Sequence, residues 1–136
     1  MKRSKELLKR DYEPIGQIEI DGLDVAKGLE RYNGNKRVYT YVLRTYITDV
    51  RSLLRTIESV DMKWLTGYSY IINGIKAASY DISAGEIVEM AKYLEAAAKD
   101  GNIEYINKNN PSFVKTVRSF IYNLEATLLD IDLIFV

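Results

Sequence analysis

The stretch LTGYSYIINGIKAASYDI, residues 65 to 82, decides the fold. Its Leu65, Tyr68, Ile72, Ile75, Ser79 and Ile82 are spaced alternately three and four apart, the repeat of a helix that faces the inside of a bundle. Bulky apolar residues are confined to that seam. The opposite face carries Ser69, Asn73, Lys76, Ala77 and Tyr80, with Tyr70 beside them, and is expected to meet solvent.

Working outward, the same three-and-four spacing continues on both sides. From Lys36 to about Ser59, Val38, Val42, Leu43, Tyr46, Ile47, Val50, Leu54 and Ile57 form one apolar stripe, which predicts a long amphipathic helix. Asn35 is a candidate cap for it, and Asp61 for the helix that follows. Ahead of it, Asp24 can cap a short helix, VAKGLERY, that stops at NGN, where Asn33 or Gly34 can take the left-handed backbone that ends helices. QIEIDGLD reads as extended chain, and EPIG interrupts any helix formed by the basic segment KRSKELLKR.

Beyond residue 82, SAGE offers a capping box between Ser83 and Glu86. The helix after it runs to Asp100 and stops at Gly101, burying Ile87, Met90, Ala91, Leu94, Ala97 and Ala98. The last helix reads as two pieces: IEYINK breaks at NNPS, and Pro111 opens a second segment with Val114, Val117, Ile121, Leu124 and Leu128 inward. Short connections force each helix back alongside its predecessor. The expected fold is all-α, an antiparallel up-down-up-down four-helix bundle with additional short N-terminal helices. Three segments follow: a basic N-terminal helix and linker over 1–20, the bundle over 21–130, and an apolar tail over 131–136.

Composition narrows the function classes. A chain of 136 residues has the size of one domain and buries roughly two-thirds of its unfolded surface. Nineteen acidic residues balance nineteen basic ones, so no global field draws the chain to nucleic acid or membrane. With neither cysteine nor histidine, thiolate chemistry and zinc or copper sites are not expected, and no cofactor is implied. The start has no apolar run behind its basic residues, so a cytoplasmic protein is expected. Lys2, Arg3, Lys5, Lys9 and Arg10 read as a solvated end. Most of the eleven tyrosines fall at stripe positions and are expected at the core edge, Tyr70 and Tyr80 excepted.

From about Asp21 to Leu129 the chain resembles the histidine-containing phosphotransfer (HPt) domain of two-component phosphorelays. DGLDVAKGLERYNGN resembles that family's leading helix, which closes one end of the bundle. YIINGIKAASYDISAGEIVEMAKYLEAAAKDGN resembles its signature helix and the next one, with the pattern His-x-x-Lys-Gly and then a small-residue stretch ending in Gly-Ala. Aligned without gaps, the phosphoacceptor histidine falls on Asn73, the lysine on Lys76, the first glycine on Ala77, and the closing pair on Ser83 and Ala84. The resemblance implies docking of a response-regulator receiver domain, or a sensor kinase, on the face formed by Ser69, Tyr70, Asn73, Lys76, Ala77 and Tyr80.

It also implies a loss. In such domains a neutral imidazole nitrogen attacks the aspartyl phosphate, and the lysine neutralises the phosphoryl oxygens. The amide nitrogen lone pair of Asn73 is delocalised into its carbonyl, so Lys76 has no acceptor beside it. The expectation is a non-enzymatic adaptor or decoy. Two alternatives stand beside it: a competent phosphorelay protein whose histidine has been replaced, and a structural bundle that self-associates through its apolar tail. Carboxylates such as Glu86 and Glu89, or Asp130 and Asp132, lack the flanking pattern of a glycosidase or metal site, and a diiron motif is impossible without histidine.

Overall fold

The computed structural model describes residues 13–134. The expected basic helix and the end of the apolar tail lie outside these residues. All regular structure among the described residues is helical: α1 (Val25–Arg31), α2 (Lys36–Thr56), α3 (Leu65–Asp81), α4 (Gly85–Lys99) and α5 (Ile103–Ile134). Single 3-10 turns occupy Glu13–Gln17 and Met62–Trp64.

The four longer helices close a ring, with α3 against α4, α4 against α5, and α2 against both α3 and α5. Leu43, Val50 and Leu54 of α2, Ile72 and Ile75 of α3, Ala91 and Leu94 of α4, and Val117 and Leu124 of α5 meet in one core. Each large side chain buried this way contributes roughly 1.5–3 kcal/mol. The turn at Glu13–Gln17 and α1 pack on each other and on α2, and Ile15, within the stretch read as linker, is fully buried.

The helix ends follow from local chemistry. Asp24 and Asn35 cap α1 and α2 as expected, accepting from the amides of Lys27 at 3.0 Å and Val38 at 3.1 Å. Three helices end in the same six-to-one closure: Gly34 N–H to Leu29 C=O, Ala84 N–H to Ser79 C=O, and Asn102 N–H to Ala97 C=O, at 2.8, 2.9 and 2.8 Å. The residue before each donor, Asn33, Ser83 or Gly101, has a positive φ of 56°, 66° or 68°.

Ser83 therefore does not form the expected capping box. It terminates α3 in the left-handed region, which moves the start of α4 one residue on, so that Ala84 is the N-cap and makes no side-chain cap bond. The Ser83 hydroxyl instead accepts from Arg31 Nε at 3.1 Å. Nearby, the carbonyls at the end of α3 and just after it are satisfied by the residues that flank α1 and by α2. Tyr32 donates to Asp81 C=O, Tyr39 to Ile82 C=O, and the Asp24 amide to Ser83 C=O. Burial pushes the Tyr39 phenol well above its ordinary value, so it stays a donor.

Two further expectations are corrected. Tyr39, not Val38, takes the inward place in the first turns of α2, because the stripe 39, 43, 46, 50, 54, 57 keeps the helical phase; Val38 is exposed. The break at NNPS does not occur: α5 runs unbroken through Pro111. The buried positions Ile106, Asn110, Phe113, Val117, Phe120, Leu124 and Leu128 hold one phase across the proline, and Pro111 itself lies on the exposed side. Asn110 anchors the joint, accepting from Tyr68 Oη and donating to Ile57 C=O, both at 2.7 Å. The helix also carries the chain through residue 131, where Ile131 is buried. No helix among the described residues is long and apolar enough to cross a membrane.

Candidate functional site

The face of α3 away from the core is built by the seam that buries the other side. Tyr68, Ile72, Ile75 and Ser79 are buried, and Ser79 is fixed there by a 2.8 Å hydrogen bond with Tyr46 Oη. With the phase set, Tyr70, Asn73, Ala77 and Tyr80 emerge together and exposed, while Ser69 is half-buried. Tyr70 is 81% exposed and Tyr80 54%. The structure thus brings the expected docking residues onto one surface, with Leu65 at the half-buried start of the seam.

Lys76 departs from the expected picture. Its side chain is only 30% exposed, and its ammonium lies 2.7 Å from Glu95 Oε2 on α4. Asn73 Nδ2 donates to the same oxygen at 3.3 Å, and Lys99 Nζ reaches the other oxygen at 3.1 Å. Three donors from two helices converge on one carboxylate that is itself buried, at 7% exposure. The hydrogen bond from Lys76 is the main reason the Glu95 carboxyl is held down to about 2; burial pushes the other way, and Lys99 and Asn73 add to the lowering.

Glu95 was not singled out by sequence reasoning. The signal was present, because Ala91, Glu95 and Ala98 continue the buried stripe of α4 at four- and three-residue spacing. A carboxylate on a buried stripe needs partners, and here they are the two residues already marked on α3. Close packing of α3 on α4 is possible because Ala91 and Ala98 keep that stripe small.

Beside this cluster, Leu65, Thr66, Tyr70 and Asn73 face Ala98 and Lys99 across an open groove of about 480 Å³. At the other end of the face, the Arg31 guanidinium stacks 3.8 Å from the Tyr80 ring centre. A hydrogen bond from Arg31 is the first cause lowering the Tyr80 phenol below its ordinary value. Arg31, like Glu95, was missed; only the tertiary closure of α1 against the end of α3 brings it there.

Chemically, the face offers an amide, a charge-neutralised ammonium, small side chains and two aromatic rings. The Lys76 nitrogen is engaged as an ion pair and the lone pair of the Asn73 amide nitrogen is delocalised into its carbonyl, so neither nitrogen is placed as a nucleophile. Among the described residues no group of carboxylates is placed to hold a metal ion. The exposed tyrosines are more numerous than expected: Tyr41, Tyr93 and Tyr122 stand out from the surface as well. Searches of family models, curated proteins and solved structures gave no match for this chain.

Proposed function

We propose that the chain is an HPt-like bundle of two-component signalling, built as an antiparallel up-down-up-down array, that docks a response-regulator receiver domain without accepting its phosphate. The observation that carries this reading is the exposed strip Tyr70, Asn73, Ala77 and Tyr80 on α3, with Lys76 one turn from Asn73. The ring of four helices supports the array, since the connections at 82–84 and 100–102 are three residues long and favour antiparallel neighbours. The left-handed backbone of Ser83 supports the resemblance too, because that position falls on a glycine of the family pattern, and glycine enters that region most readily.

The Glu95 cluster deepens the loss of chemistry. In a phosphotransfer site the lysine charge is needed by the phosphoryl oxygens. Here a carboxylate supplied by the chain itself occupies Lys76, Lys99 and Asn73 together. The protein acts as an adaptor or decoy in the cytoplasm, holding a receiver domain by surface complementarity.

The test is chemical. Incubated with a phosphorylated receiver domain that it binds, the chain should gain no acid-labile, base-stable phosphoramidate. Asn73→His combined with Glu95→Gln, which removes the carboxylate that pairs with Lys76, places an imidazole at the exposed position beside an available ammonium and is expected to gain one. Phosphoramidate on the unmodified chain would overturn the inactive reading. A histidine variant that folds and binds but takes no phosphate would overturn the resemblance of the site.

A further inference from the structure

Across the ring from the α3–α4 face, α2 and α5 border a second open groove, of about 670 Å³. Three of the chain's eight arginines line it: Arg51 and Arg55 from one side, Arg118 from the other. Arg51 pairs with Glu125 at 3.0 Å and Arg118 pairs with Glu58, and all four of these side chains are about half exposed. Among the described residues Arg55 carries no ion pair. Leu54 and Ile121 form an apolar floor, both almost fully buried, and Tyr122 stands 72% exposed at the edge.

Each of these features points to the same class of ligand. The five charged groups sum to one net positive charge, in a chain whose total charge is zero. Half-exposed ion pairs contribute little to stability, so exchanging a glutamate for a polyanion costs little. Guanidinium is weakly hydrated and binds phosphate oxygens in pairs, which an ammonium does not. An exposed ring above an apolar floor suits a flat aromatic group. We propose that the α2–α5 groove binds a phosphorylated small molecule bearing an aromatic ring, of the nucleotide class. Arg51, Arg55 and Arg118 hold the phosphates, and Tyr122 receives the ring. This site is independent of the α3 face and of the receiver-docking reading.

The probes are ATP and inorganic pyrophosphate, titrated without metal into the full 15N-labelled chain at low salt. ATP is expected to bind with a Kd on the order of 10–100 μM, shifting amides around Arg55 and Tyr122. Pyrophosphate should bind about tenfold more weakly, since it has no base to stack on the Tyr122 ring. Tyr122→Ala should bring ATP down to the level of pyrophosphate, and Arg55→Gln should weaken both about tenfold with helicity unchanged. The proposal is overturned if ATP does not bind at about 5 mM, if it binds no more tightly than pyrophosphate, or if Arg55→Gln leaves its affinity as it was.

Discussion

Lys76 Nζ and Glu95 Oε2 lie 2.7 Å apart, joining α3 to α4 at the middle of the candidate docking face. The pair turns a lysine that the sequence places in open solvent into part of the packing between two helices. It fixes the side chain's direction, neutralises its charge, and leaves Tyr70 and Ala77 as the unencumbered part of the surface. Several consequences are measurable.

Removing the carboxylate should expose its contribution to stability. The folded chain holds the Glu95 carboxyl at about 2, below its ordinary 4.5. A depressed folded value means that the stabilisation is complete above pH 4.5 and is lost as pH falls through 2. Glu95→Gln should therefore unfold about 1–3 kcal/mol more easily in urea at pH 7. That difference should shrink steadily between pH 4.5 and pH 2. A gap that stays constant over this range would mean the carboxylate is not paired as described.

Pro111 offers a test of the unbroken α5. Inside a helix, proline removes one backbone donor and crowds the preceding turn, at a cost of about 3 kcal/mol relative to alanine. Since Pro111 lies on the exposed side of a continuous helix, Pro111→Ala should stabilise the protein by about 1–3 kcal/mol. Were the helix to begin anew at residue 111, the proline would sit at a favourable first position and its loss would be neutral or harmful. Thermal melting of the two chains distinguishes the outcomes.

Gly28 is the reverse case. Alanine improves helix propensity by about 1 kcal/mol, yet a Cβ on Gly28 would overlap the Tyr39 ring. That ring is fully buried and tied through its hydroxyl to Ile82 C=O at 2.9 Å, so it cannot swing aside. Gly28→Ala should destabilise by about 1–3 kcal/mol despite the propensity gain, read as a lower melting temperature. An unchanged or higher Tm would show that α1 does not pack on α2 as closely as the structure has it.

Much of the helical pattern was legible because burial imposes a period. The stripes of α2, α3 and α4 follow from three-and-four spacing, and the caps at Asp24 and Asn35 follow from side chains that reach the next turn's amides. The misreadings came from residues whose local preference was overruled by packing. Pro111 suggests a break, but the apolar phase from Ile106 to Leu128 crosses it. Ser83 suggests an N-cap, but the reversal between α3 and α4 needs a left-handed residue at that position. The site was half legible. The face of α3 follows from its own seam, whereas Glu95 and Arg31 reach it from other elements, and single-helix periodicity carries no information on which helices become neighbours.

The proposed docking face is tested most directly by titrating the 15N-labelled chain with isolated receiver domains encoded in the same genome, in resting and phosphate-mimicking forms. At least one is expected to bind with a Kd on the order of micromolar, with shifted amides centred on Asn73, Ala77 and Tyr80. Ala77→Trp should weaken that complex about tenfold or more while the circular dichroism stays the same. If no receiver domain binds, or if the shifted amides lie away from α3 and Ala77→Trp binds as tightly as the unmodified chain, the account of this face is contradicted.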